Sequence, residues 1–169
     1  MMNARQLQKG VSLNWSNPMS TTNHPVVSGV SEQDLQTLTR FYTAFSGQPD
    51  LLDACVAPDW QDIPLAPGQA SGREGMKPLI KGFGAVFADL KVEVLDVIGG
   101  PGRAAVRAVI TGRHVAEWFG VPATGRKFSL AIHEFHTIEN GMLTKTYHME
   151  DWMGWFAQVG AQPGVQAGE

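Results

Sequence analysis

Four of the chain's five histidines, His114, His133, His136 and His148, lie in its C-terminal half, with Glu134 and Asp151 close by in sequence. Imidazole is the side chain whose ordinary pKa, about 6.5, lies nearest neutrality, so this concentration suggests proton transfer or metal binding. His133 and His136 are three residues apart in a stretch patterned as a strand, and a period of two sends them to opposite faces. Zinc needs imidazoles converging to about 2.0–2.1 Å, so no metal is expected here. A tight turn at Asn140-Gly141 would set Glu134 opposite His148 on neighbouring strands. A carboxylate in that place orients the ring, selects its tautomer and raises its pKa, giving an acid/base unit of a kind worth about 10²–10⁴-fold in rate. The same spacing also describes a cross-strand ion pair that only stabilises the sheet.

Asp151 stands where a closing helix begins, and an N-cap role accounts for it. Trp60, Phe83, Trp118 and Phe119 are candidates to line a pocket, although aromatic residues in such positions also serve as plain core. Asp62, between Trp60 and Ile63, reads as a loop residue. The sequence contains no Gly-rich phosphate cradle, nucleophile elbow or Walker motif, so covalent catalysis by Ser or Cys has no signature.

The elements that must position these residues follow from periodicity. Ser31 can cap a helix on which Leu35, Leu38, Tyr42 and Phe45 recur at helical spacing, with Gly47 ending it. A short segment from Leu51 to Val56 stops at Pro58, and Trp60 to Ile63 form a brief extended stretch before Pro64. Ser71 and Glu74 make a capping-box pattern for a helix carrying Met76, Leu79, Ile80, Phe83 and Phe87, with Pro78 as a blemish. Strand patterns then cover roughly 90–99, 103–117, 127–138 and 142–149, read as an antiparallel meander. A last helix from Asp151 carries Trp152, Trp155, Phe156 and Val159 and ends at Gly160. Helices first and a meander afterwards mean an α+β fold, with the helices on one sheet face around a conical hollow.

The 169 residues, 43% of them hydrophobic, suit one core, and a net charge of −3 gives no basic field for nucleic acid or an anionic membrane. The lone Cys55 cannot form an internal disulfide. Arg5 and Lys9 are followed by Asn14, Ser16, Asn17, Ser20 and Asn23 rather than an apolar run, so a cytoplasmic protein is expected. Residues 1–30 read as a polar, mobile leader, 31–160 as the domain and 161–169 as a loose tail.

Gly112-Arg113-His114-Val115, continued by Trp118 through Ser129, resembles the SnoaL-like polyketide cyclases of the NTF2-like superfamily. Glu139-Asn140-Gly141 is similar to that family's acidic turn, and Asp151-Trp152-Met153-Gly154 with Gln158-Val159-Gly160 is similar to its closing helix. The resemblance implies a cone of curved antiparallel sheet with helices over its mouth, cofactor-free chemistry, and association into a homodimer or homotetramer. Members perform an intramolecular aldol cyclisation of aromatic polyketide esters, using an Asp and a His on neighbouring strands. Here the types are exchanged: His148 holds the position of the Asp and Glu134 that of the His. On this basis His148 is expected to be the base, Glu134 its orienting partner, and His114 or Asp151 the donor to the carbonyl oxygen of a small apolar substrate. A module that binds a small molecule or a partner without catalysis is the alternative reading.

Overall fold

The computed structural model describes residues 26–162, so most of the expected leader and tail lies outside the described residues. The order is β1 (Val26–Ser28), α1 (Glu32–Ala44), a 3₁₀ segment (Pro49–Ala54), β2 (Val56–Ile63), α2 (Arg73–Val86), β3 (Phe87–Gly100), β4 (Arg103–His114), β5 (Lys127–Glu139), β6 (Met142–Glu150) and α3 (Trp152–Val159). The fold is α+β, a curved sheet with helices on one face, as expected.

Strands β3 to β6 form the antiparallel meander. The sheet has two further members, because its order is β1-β3-β4-β5-β6-β2, with β1 parallel to β3 and β2 parallel to β6. Val26–Ser28, inside the stretch read as leader, therefore belong to the domain's sheet. The brief extended stretch expected at Trp60 to Ile63 is the end of a longer, eight-residue edge strand. Both edges depend on pairing with residues far away in sequence, which no local pattern reports. Register shifts in β3, between Ala88 and Lys91 and between Val94 and Asp96, add local bend and twist.

Ser31 caps α1 by accepting from the Asp34 amide at 3.0 Å. The expected Ser71 capping box does not form: Gly72 is the N-cap of α2, without a side-chain cap bond. Its φ of 77° suits glycine, and a Cβ there would stand 2.7 Å from the Pro58 carbonyl oxygen. Phe87, read as a helical residue, is instead the first of β3. Asp151 caps α3 by accepting from the Gly154 amide at 2.8 Å, and Gly160 ends that helix in the left-handed region.

Along β5 the alternation is clean. Phe128, Leu130, Ile132, Glu134, His136 and Ile138 are buried, while Ser129, Ala131, His133 and Phe135 are exposed. This places two polar side chains, Glu134 and His136, on the face that otherwise forms the core, beneath Leu38, Phe41 and Tyr42 of α1. Each fully buried Phe or Leu contributes about 1.5–3 kcal/mol, which offsets the cost of burying polar groups only if those groups are paired.

Candidate active site

Glu134 and His148 are cross-strand partners in the β5–β6 ladder. Their side chains part company. Glu134 turns towards α1, where Oε2 accepts a hydrogen bond from the Tyr42 hydroxyl. His148 turns towards β2, across the other edge of β6: Nδ1 lies 2.7 Å from Glu150 Oε1, and Nε2 lies 2.8 Å from the Pro64 carbonyl oxygen and 3.2 Å from Asp62 Oδ1. The orienting partners of His148 are thus Asp62 and Glu150, and the expected Glu134–His148 contact is replaced. Asp62 is no loop residue. It is 6% exposed in β2, with Oδ2 held at 2.8 Å by the Gln69 side-chain amide.

Beside Glu134 on β5, His136 is 2% exposed and fully engaged. Its Nε2 lies 2.9 Å from the Tyr42 hydroxyl and its Nδ1 lies 3.0 Å from Thr146 Oγ1, which the Trp60 indole N–H reaches at 3.0 Å. His133 lies exposed on the opposite face. Among the described residues no group of three or more His, Cys, Asp or Glu side chains is arranged to hold a metal.

The electrostatics divide these groups. Burial raises the Glu134 carboxyl to about 7, against the lowering effects of the Tyr42 hydrogen bond and the His148 charge. Burial drives His136 down to about 3, so it is neutral at ordinary pH. For His148, burial works against the cation, but hydrogen bonds to Asp62 and Glu150 prevail and lift it well above the usual imidazole value. Burial and the neighbouring Glu134 charge push the Tyr42 hydroxyl well above 10, so it stays a donor.

The remaining expected site residues lie elsewhere. His114, at the end of β4, is eight positions beyond Val106, which pairs with Glu134, or roughly 26 Å along the strand. It cannot donate to an oxygen held near Glu134 or His148, and this expectation is corrected. Asp151 is exposed and occupied as the α3 cap. Phe83, Trp118 and Phe119 pack together at the His114 end, with Trp118 5.5 Å from Phe83 and 5.0 Å from Phe119 between ring centroids. Trp60 stands apart from them, 1% exposed and 5.9 Å from Phe41. None of these four lines the cavity of about 310 Å³, which is bounded by Ile98, Arg103, Phe135 and Tyr147 among others.

Tyr42, Asp62, His136, Thr146 and Glu150 are the site residues that sequence reasoning passed over. A signal existed for two of them: His136 shares the parity of Glu134 on one strand, and a tyrosine on the apolar face of a helix requires a buried partner for its hydroxyl. For Asp62 the signal lay in the pairing of β2 with β6, which is tertiary.

Solved structures place this geometry among known folds. The chain is similar to TsrD from Streptomyces laurentii, at 28% identity and TM-score 0.72, covering 78% of this chain and 98% of that one. It is similar to IdmH from Streptomyces antibioticus, at 29% identity and TM-score 0.69, covering 77% and 100%. A protein of ketosteroid isomerase-like fold from Catenulispora acidiphila, solved with trimethylamine, shares the fold at 17% identity and TM-score 0.62, covering 76% and 95%. No curated protein matches the chain. The model of the SnoaL-like polyketide cyclases matches residues 36–159, most of the domain, from within α1 to the end of α3 and so including Tyr42, Asp62, Glu134, His136 and His148, and the chain belongs to that family.

Proposed function

We propose that this protein catalyses cofactor-independent proton transfer on a small apolar carbonyl compound, in the manner of an intramolecular aldol cyclisation, with Glu134 as the base. The observation that carries the reading is a buried carboxyl, raised to about 7, bonded through one oxygen and standing beside an imidazole that two carboxylates favour as the cation. A base is most effective when its pKa lies near the working pH. A protonated His148 has no lone pair to accept a proton, so the base role expected for it passes to Glu134.

In the proposed cycle, Glu134 takes a proton from a carbon flanked by two carbonyls, leaving an enolate. The enolate carbon attacks a carbonyl carbon of the same molecule, forming a C–C bond while the carbonyl π pair moves onto oxygen. The resulting alkoxide takes the proton back from Glu134, so the product is an isomer of the substrate. The His148 cation lowers the energy of the negative charge along this path.

Enzyme-dependent exchange of the α-deuterium of an aryl-substituted β-keto ester, followed by proton NMR, tests this step without knowledge of the natural substrate. Exchange well above the buffer rate that disappears in Glu134→Gln is the expected result. Exchange that survives the substitution would remove Glu134 from the mechanism.

A second reading draws on the outer sheet face, where Ile98, Phe135, Tyr147 and Met149 are exposed beside the 310 Å³ cavity. Apolar surface of that kind suits a self-complementary contact, so a homodimer through this face belongs to the proposal. Phe135→Glu is expected to shift a dimer to monomer in sedimentation. Ligand retention without exchange would favour a binding module instead. A cytoplasmic location fits the buried free thiol of Cys55.

A further inference from the structure

The buried contacts that end on Glu134 have a direction, and the direction is set by a residue that touches neither Glu134 nor His148. An indole N–H only donates, and that of Trp60 points at Thr146 Oγ1, 3.0 Å away. Thr146 is wholly buried, and its hydroxyl has one other partner among the described residues, His136 Nδ1 at 3.0 Å. If the hydroxyl donates there, Nδ1 is an acceptor, and the one proton of a neutral His136 sits on Nε2. That proton faces the Tyr42 oxygen at 2.9 Å, which frees the tyrosine hydroxyl to donate to Glu134 Oε2.

The reverse arrangement fails on its donors and acceptors. His136 Nδ1–H and Trp60 N–H would then both donate to Thr146, leaving its own hydroxyl proton without an acceptor among the described residues. Tyr42 would donate to His136, and Glu134 would keep its contact with Tyr42 only by carrying the proton itself. A buried donor without a partner carries the full cost of its lost solvation, so the forward arrangement prevails.

We infer that Trp60 is a positioning residue: its N–H orients Thr146, His136 and Tyr42 in series, fixes His136 as the Nε2–H tautomer, and commits Oε2 of Glu134 to Tyr42 so that Oε1 is the oxygen left to take a proton. The last clause rests on the proposed function. The direction of the chain rests on the contacts and on a neutral His136, and not on that proposal.

The test uses the full-length chain labelled with ¹⁵N and ¹³C and no substrate. Long-range ¹H–¹⁵N spectra report the tautomer of His136, and the carboxyl ¹³C shift reports the Glu134 titration midpoint. The expected wild-type result is one Nε2–H tautomer, unchanged between pH 5 and 8. In Trp60→Phe, Thr146 is free to turn its hydroxyl, so both tautomers are expected and the Glu134 midpoint rises by about one unit as Tyr42 donation to the carboxylate weakens. An Nδ1–H tautomer in the wild type overturns the inference, and needs no variant that must fold. A folded Trp60→Phe with tautomer and midpoint both unchanged overturns it as well. Failure of the exchange assay would sink the catalytic reading while leaving these spectra to stand or fall separately.

Discussion

His114 and His136 are both buried on the inner face of the same sheet, one at each end, and they are held in opposite ways. His114 sits among aromatic rings, 5.0 Å from Trp155 and 6.1 Å from Phe87 between centroids, with Thr124 Oγ1 3.2 Å from Nδ1 and, among the described residues, no partner for Nε2. His136 uses both ring nitrogens and stands two residues from a buried carboxyl. Burial alone does not separate the two histidines. Connection to a group that titrates in the useful range does.

The comparison can be broken most directly by turnover. Glu134→Gln is expected to lower kcat by about 10²–10⁴-fold, the usual worth of a positioned acid/base, whereas His114→Gln should change it less than about threefold. Equal losses in both variants would mean that the two ends are not different in kind.

Stability against pH sharpens the same contrast. The folded Glu134 sits at about 7 against 4.5 for an ordinary carboxyl, so its contribution is complete below pH 4.5 and is lost as pH rises through 7. Relative to Glu134→Gln, the wild type should lose roughly 3 kcal/mol across that window in urea denaturation. A constant difference between the two proteins would show that the carboxyl is not raised.

Asp62→Asn probes the far side of the site. His148 is raised on folding, so its stabilisation is full below about 6.5 and is lost as pH rises through its folded value. Removing one of its two carboxylates should cost about 1–3 kcal/mol at neutral pH and lower its NMR titration midpoint. An unmoved midpoint would assign the cation to Glu150 alone.

The smallest effect is expected at the aromatic end. His114→Phe, which fits the surrounding rings, should alter stability by no more than about 1 kcal/mol in the same denaturation. A larger loss would reveal that the Thr124 contact matters more than the packing.

Periodicity was enough to place α1, the four meander strands and α3, and the Asn140-Gly141 turn alone set Glu134 opposite His148. It was not enough for the partners. The expected carboxylate–imidazole pair had the right register and the wrong contacts, because β6 is flanked by β5 on one side and β2 on the other. The His114 assignment failed for a related reason: residue type suggested a donor, but distance along the strand is a property of the ladder. The Ser71 capping box failed locally, displaced by Gly72, whose backbone closes against Pro58.

What the sequence by itself determined was the class of fold and the register that sets Glu134 opposite His148, since both follow from alternation and turn chemistry that the strands carry within themselves. Only the tertiary structure decided which ionisable groups meet. Parallel pairing of β2 with β6 delivered Asp62 to His148, and packing of α1 on the sheet delivered Tyr42 to Glu134. Those meetings join residues dozens of positions apart, and their protonation depends on burial that no local pattern encodes.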